Sequence, residues 1–403
     1  MRNSLRRPSF FFSALMFAAF VFACATQASA QLIISEFRVR GPNGANDEFI
    51  EIYNNSGADH TVAGGGTGYA VAASNGVARC VIPNGTVIPN RGHYLCVNSV
   101  GYSLASYPAG VGTTATGDAT YTTNIPDNAG IAIFNTSVAG DFTLANRMDA
   151  VGSTSEANTL YKEGTGYPAL TPFSIDYSFY RDNCGKGGSI TTFGVCPIST
   201  PKDTNNNAAD FIFVDTNGTS AGAGQRLGAP GPENLSSPIQ RNASFGFDSL
   251  DPCVGAASPP NRVRDFTSDP ANNSTFGTLD IRKTVTNNTG GNVTRLRWRI
   301  IDLTTFPAPS GIADLRPRTS MAVVVTVDRA PCGSGTSSVT VQGTTLEQPP
   351  SQPNGGGFNS SMSSGTVTMA TPLANGASLD LRFVLGLQQT GSFKFFINVE
   401  ALP

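Results

Sequence analysis

LIISEFRVRGPNGANDEFIEIYNNSG, from Leu32 to Gly57, consists of two runs rich in β-branched and aromatic residues on either side of a Gly/Pro/Asn/Asp cluster. That order predicts strand, loop, strand. Leu32 to Arg40 is the first strand, GPNGAND the loop, and Glu48 to Tyr53 the second strand. Side chains alternate along a strand, so Glu48, Ile50 and Ile52 share one face while Phe49, Glu51 and Tyr53 share the other. Asn54, Asn55, Ser56 and Gly57 close the stretch with turn chemistry.

Outward from this hairpin, short strands are predicted at Tyr69 to Ala73, Ala78 to Ile82 and His93 to Val97. The glycines Gly64, Gly65 and Gly66 give backbone freedom; a phosphate loop would need a following helix and a Lys-Ser/Thr pair, and neither is present. Asn98 to Asn128 has little apolar periodicity and reads as a long surface loop. Gly130 to Phe134, Arg147 to Gly152, Tyr177 to Arg181 and Phe211 to Val214 read as further strands.

The order of these pieces resembles the lamin-tail domain, an immunoglobulin-like β-sandwich also found in secreted bacterial proteins. The resemblance rests on ISE followed by DEFIEIYN, on Gly130-Ile131-Ala132-Ile133-Phe134, and on a strand ending Asp149-Ala150-Val151-Gly152. It continues through Tyr177-Ser178-Phe179-Tyr180-Arg181 and a closing Pro230-Gly231-Pro232-Glu233-Asn234 turn. It covers Gln31 to about Asn234, with insertions at 99–128 and 153–175. It implies an interaction module often joined to other extracellular domains, and it does not fix a ligand.

Residues 1–30 read as a cleaved signal peptide: Arg2, Arg6 and Arg7, an apolar Phe10 to Ala25, and the small-residue site Ala28-Ser29-Ala30. Cys24 suggests lipidation only weakly, because the bulky Phe22 fits a lipoprotein box poorly. No later segment is long and apolar enough to span a bilayer. Beyond residue 30 the chain carries 23 basic and 28 acidic residues, and these are unevenly spread. Residues 31–236 hold 10 basic and 17 acidic, and 262–403 hold 12 and 9, which supports two units with different surfaces. Neither is basic enough to make nucleic acid an expected partner on charge alone.

Six cysteines remain after the signal: Cys80, Cys96, Cys184, Cys196, Cys253 and Cys332. In an exported chain an even count reads as disulfides, and proximity favours pairing them in that order. A zinc site lacks support, with no C-x-x-C spacing and two histidines in the chain. Residues 237–261 are Pro/Ser/Gly-rich and read as a linker. Seven apolar runs follow, at 279–286, 293–303, 321–328, 338–346, 366–369, 378–387 and 392–399, and suggest a second immunoglobulin-like sandwich over 262–403. The fold expected is all-β, two immunoglobulin-like β-sandwich domains after a signal peptide.

Four groups of side chains carry potential chemistry. Glu36, Glu48 and Glu51 could act as acid/base carboxylates or calcium ligands. Glu48 and Glu51 fall on opposite faces, however, and the expectation is a structural role, with Glu51 accepting backbone N–H groups. Asp203, Asn205 and Asn207 give the D-x-N-x-N start of a calcium loop, but its sixth and twelfth positions are Ala208 and Val214. The expectation there is an ordinary turn without metal. Arg295, Arg297 and Arg299 form a stripe opposite Leu296, Trp298 and Ile300. The stripe could contact an anionic polymer; the expected role is a solvated face paired with acids across strands, Trp298 anchoring the core. His60 and His93 are the only imidazoles and no G-x-S-x-G accompanies them, so neither a catalytic residue nor a cofactor is expected.

The reading is therefore a secreted, non-catalytic binding module, with extracellular glycans or surface proteins as candidate partners. A structural surface or matrix component without a specific ligand is the alternative. A hydrolase using Glu36, Glu48 and Glu51 is a third.

Overall fold

The computed structural model describes residues 32–107, 115–169, 174–183, 201–217, 226–305, 313–329, 331–347 and 352–403. The expected signal segment, Cys184 and Cys196 lie outside these residues. The Leu32–Gly57 stretch folds as the two antiparallel strands read from it, β1 (Leu32–Arg38) and β2 (Phe49–Asn54). There follow β3 (His60–Thr61), β4 (Gly68–Ala73), β5 (Ala78–Pro83), β6 (Val87–Ile88) and β7 (His93–Asn98). The first unit is completed by β8 (Ala119–Tyr121), β9 (Ile131–Phe134), β10 (Arg147–Val151), β11 (Tyr177–Arg181), β12 (Phe211–Asp215) and β13 (Arg226–Leu227).

Two sheets face each other in this unit. One is seven-stranded, ordered β13-β12-β11-β1-β2-β7-β8, and the other four-stranded, ordered β10-β9-β4-β5. Alternation sends Leu32, Ile34, Phe37, Ile50 and Ile52 inward, where they meet Tyr69, Val71, Ile131, Ile133 and Val151 of the opposite sheet. The disulfide Cys80–Cys96 connects β5 to β7 and so links opposite sheets.

One irregularity of β1 sets the outer face. Ile34 pairs with Ile52 and Glu36 with Glu51, so the register shifts between Ile34 and Glu36. The extra residue turns both Ser35 and Glu36 away from the core, between inward Ile34 and inward Phe37. Without it, Glu36 would follow the parity of Ile34 into the apolar interior.

The second unit contains β14 (Ile239–Gln240), β15 (Phe245–Ser249), β16 (Arg262–Asp265), β17 (Thr278–Asn287), β18 (Arg295–Leu303) and β19 (Asp314–Arg318). After these come β20 (Val323–Asp328), β21 (Thr336–Val341), β22 (Thr345–Glu347), β23 (Ser361–Ser363), β24 (Ser378–Gln389) and β25 (Phe395–Leu402). The sheet β14-β25-β18-β23-β22 faces the sheet β15-β17-β24-β19, which also carries β16 beside β17, while β20 and β21 form a separate hairpin. Trp298, 0% exposed, anchors the core between the sheets, and its Nε1 donates to Ser364 Oγ at 2.9 Å.

Three expectations are corrected. Residues 237–261 are not a free linker, because β14 pairs with β25 and β15 with β17 inside the second unit. Thr366 to Met369 forms turns and bends instead of a strand. The 98–128 insertion is not merely surface: Leu104, Tyr107 and Ala115 are buried on the outer face of the large sheet, against Phe49, Leu95 and Val97. The second bridge, Cys253–Cys332, ties the segment after β15 to the turn between β20 and β21.

Candidate functional site between the two β units

The outer face of the seven-stranded sheet lies against the outer face of the sheet containing β18. On the first face Glu36, Glu51 and Tyr180 project from β1, β2 and β11, and His93 from β7. On the second, Arg297 and Arg299 of β18 stand beside Glu400 and Asn398 of β25 and Ser363 and Ser361 of β23. Between them runs the Pro230–Asn234 turn. Its Gly231 N–H donates to Glu36 Oε1 at 2.9 Å and its Glu233 N–H to Glu51 Oε2 at 2.7 Å. A Cβ at Gly231 would lie 2.2 Å from Arg299 Nη1, so a side chain there would displace that guanidinium. Backbones approach nearby as well, since a Cβ on Gly357 would lie 1.9 Å from the Leu227 carbonyl oxygen.

The arginine stripe is therefore placed differently from expectation. Arg297 is 0% and Arg299 3% exposed, so these two do not form a solvated face. Arg297 Nε donates to Glu400 Oε2 at 2.6 Å and Arg299 Nε to Glu400 Oε1 at 2.9 Å, so one carboxylate bridges both guanidiniums. Glu233 meets the same pair from the other unit, bonding Arg297 Nη2 and lying 3.1 Å from Arg299 Nη2. Arg299 Nη1 also donates to the Asn359 carbonyl at 3.0 Å. Arg295, at the margin, pairs with Glu347 at 3.0 Å. Pairing with acids across strands holds for Arg297 and Glu400; the solvent does not.

Of the three acids singled out from the sequence, the structure brings two together. Glu36 and Glu51 share the seam, and Ser35 Oγ donates to Glu51 Oε1 at 2.5 Å. Glu48 projects from the opposite face, accepting from Ile125 N–H at 2.7 Å and Asn98 Nδ2 at 2.9 Å. His93 Nε2 lies 3.8 Å from Glu51 and 3.5 Å from Glu233. His60 is remote from this group and contacts Tyr69 Oη at 3.3 Å. Glu233, Glu400 and Glu347 were not anticipated. Glu400 sits in an alternating strand, and only its cross-strand register with Arg297 reveals its role.

Burial governs the protonation of the seam. It pushes the Glu36 carboxyl up against the opposing pull of Ser178, Gly231 and Arg299. It pushes Glu51 up further, with the neighbouring Glu36 and Glu233 charges acting in the same direction. Burial likewise holds the His93 imidazole below its ordinary value. Burial would raise Glu400 too, but the charges of Arg297 and Arg299 outweigh it and keep that acid low. Four carboxylates thus face two guanidiniums, with Glu36 and Glu51 the acids that tend to keep their protons. The cavity lined by these groups has a volume of ≈ 50 Å³, room for a few waters. Glu51, His93 and Glu233 are close enough to share a metal ion, although Glu233 already pairs with both arginines. Chemically, the arrangement is suited to fixing the two units together.

The calcium-loop candidates separate. Asn207 is buried, with Oδ1 accepting from the Gly152 and Glu163 N–H groups and Nδ2 donating to the Ala150 carbonyl. Asn205 adopts a left-handed turn conformation at φ 55°. Asp203 alone turns toward other acids, lying near Asp149, Glu163 and Arg181. Asp149 and Arg181, the acid of the DAVG strand and the last residue of YSFYR, form a buried ion pair at 2.8 Å. Burial, with Asp149 and Asp203 nearby, pushes Glu163 up to about 9.

Comparison of the chain with protein-family models, with curated proteins and with solved structures finds no match in any of the three.

Proposed function

We propose that this chain is an exported, non-catalytic protein with a lamin-tail-like unit and an immunoglobulin-like unit, acting as an extracellular or cell-surface binding module. The observation that carries the non-catalytic reading is the seam. Glu36, Glu51, His93 and Glu233, the side chains best suited to acid/base chemistry, lie buried beside Arg297 and Arg299 around a cavity of ≈ 50 Å³. A site for a drug-sized molecule needs roughly 300–1,000 Å³. Export is supported by the disulfides Cys80–Cys96 and Cys253–Cys332; among the described residues no helix is long and apolar enough to cross a membrane. The lamin-tail resemblance is supported by the order of its sequence pieces, which fall on β1, β2, β9, β10 and β11 of one unit. Extracellular glycans or surface proteins are the partners this reading names.

The test is retention of the purified protein by cell envelope and by a panel of insoluble polysaccharides, at low and high salt. Saturable retention on one material is expected. No retention on any material would leave the structural surface-component reading in front. Arg297 and Arg299 are buried, so salt-sensitive retention would direct mutagenesis to exposed charges instead of the stripe.

A further inference from the structure

Away from the seam, three segments distant in sequence converge at one edge of the first unit. Asp149 comes from β10, Glu163 follows the short 3-10 turn Thr159–Tyr161, and Asp203 precedes the turn Asn207–Asp210. One carboxylate oxygen from each lies within 4.8 Å of the other two. Two arginines reach the group without matching its charge. Arg147 Nη2 donates to Glu163 Oε1 at 3.2 Å, and Arg181 Nη2 to Asp149 Oδ2 at 2.8 Å. Asp210, 3.6 Å from Arg181, makes a fourth carboxylate. The group therefore holds four acids against two guanidiniums.

A second observation separates this place from an ordinary acidic patch. Glu163 is 6% exposed, and its Oε2 accepts no hydrogen bond from any described residue. A buried carboxylate oxygen without a donor is costly unless a cation or proton satisfies it. Arg181 does not fill that role. Its Nε is anchored on the Ile34 carbonyl at 2.8 Å and its Nη1 on the Lys202 carbonyl at 3.0 Å, leaving Asp203 at 3.5 Å. The Asp203 side chain retains 11% exposure, giving an approach from solvent.

We propose that Asp149, Glu163 and Asp203 form a calcium-binding site. The donor set is all oxygen, which suits a hard cation over zinc or copper. With the proton displaced from Glu163, the group would carry two excess negative charges, which one divalent ion would balance while satisfying Glu163 Oε2. Calcium fits better than magnesium because its coordination tolerates irregular carboxylate geometry, with waters completing the shell on the Asp203 side. The D-x-N-x-N run plays no part as a loop; it supplies Asp203 alone, the other ligands coming from β10 and the segment after β10.

The experiment is thermal unfolding of the chelator-treated full protein with and without millimolar Ca²⁺ or Mg²⁺, together with equilibrium dialysis against ⁴⁵Ca²⁺. The expected result is a Ca²⁺-dependent rise in Tm on the order of 5 °C, smaller with Mg²⁺, and one ion bound per chain. Asp203→Asn, at the accessible side, is expected to fold and to lose both the rise and the bound ion. Glu163→Gln is expected to lose both as well. No calcium bound by the wild type would overturn the proposal, because a proton on Glu163 would then be the satisfying group. A calcium response that survives in both variants would also overturn it, by placing the ion elsewhere.

Discussion

Arg297 touches both units, and its removal would strand the acids around it. Glu233 and Glu400 would be left buried with half their compensation. Breaking a buried ion pair from one side costs about 3–5 kcal/mol, much of it from the orphaned partner. Arg297→Met is expected to lower stability by that amount in urea denaturation; a loss below about 1 kcal/mol would mean the seam is hydrated. Glu48 predicts a different signature. Burial lifts its carboxyl from 4.5 to about 7 against the bonds from Asn98 and Ile125. The native state therefore holds a proton that the unfolded chain releases, so this contribution is present in acid and lost as pH rises from 4.5 through about 7. Asp118, pushed up to about 6 by burial, acts with the same sign. Stability should fall between pH 5 and 8, and Glu48→Gln should make that slope shallower, by about 3 kcal/mol over the window. An unchanged slope in Tm against pH would exclude Glu48 as its source. Alternation alone placed Glu48 and Glu51 on opposite faces. Which acid meets which base required the register of five strands, and that is set by non-local pairing.

Strands with a continuous apolar face were legible, including most of those that face the seam, and strands that are short or contain proline were not. β19, Asp-Leu-Arg-Pro-Arg, contains Pro317, and a proline run reads as loop; it is accommodated because β19 is the last strand of its sheet. β23, Ser361–Ser363, puts Met362 in the core and presents two serines to the arginine face, a composition indistinguishable from a turn. The 237–261 segment misled for the same reason, its strand β14 being two residues long. The cysteine pairings Cys80–Cys96 and Cys253–Cys332 were legible from proximity and order. The first closes a loop of sequence separation 16 across the two sheets of its unit. Chain-entropy arguments give about 3 kcal/mol for such a loop, so Cys80→Ala with Cys96→Ala should lower Tm by about 4–8 °C in a calorimetric scan. No change would mean that the core already fixes the separation of β5 and β7.

The all-β class followed from runs of alternating residues, and the change in charge balance suggested two units. Their mode of joining followed from neither. Seventeen acidic residues over 31–236 and twelve basic ones over 262–403 suggested different surfaces, and part of that difference is complementarity at the seam, Glu36, Glu51 and Glu233 against Arg297 and Arg299. The contact extends to Tyr107 and Ser361, whose hydroxyls lie 2.9 Å apart, and to an apolar patch of Tyr180, Val214 and Phe358. Two units sharing buried ion pairs cannot separate without exposing unpaired charges, so thermal unfolding should be one cooperative transition. Two well-separated calorimetric peaks would show that the units are energetically independent.

The register shift in β1 also bears on how the chain can change in length. Counted from Leu32, the inward positions are Leu32, Ile34, Phe37 and Val39, a rhythm of two interrupted once by a step of three. The strand thus carries one residue more than its period needs, at Ser35 and Glu36. Loss of one residue there restores regular phase and leaves every flanking side chain on its own face. The same loss at Arg38 would carry the segment before it out of phase, turning Ile34 toward the arginines and Ile33 into the core. Insertions and deletions in this strand are therefore not equivalent along its length, and the tolerant point lies against the seam.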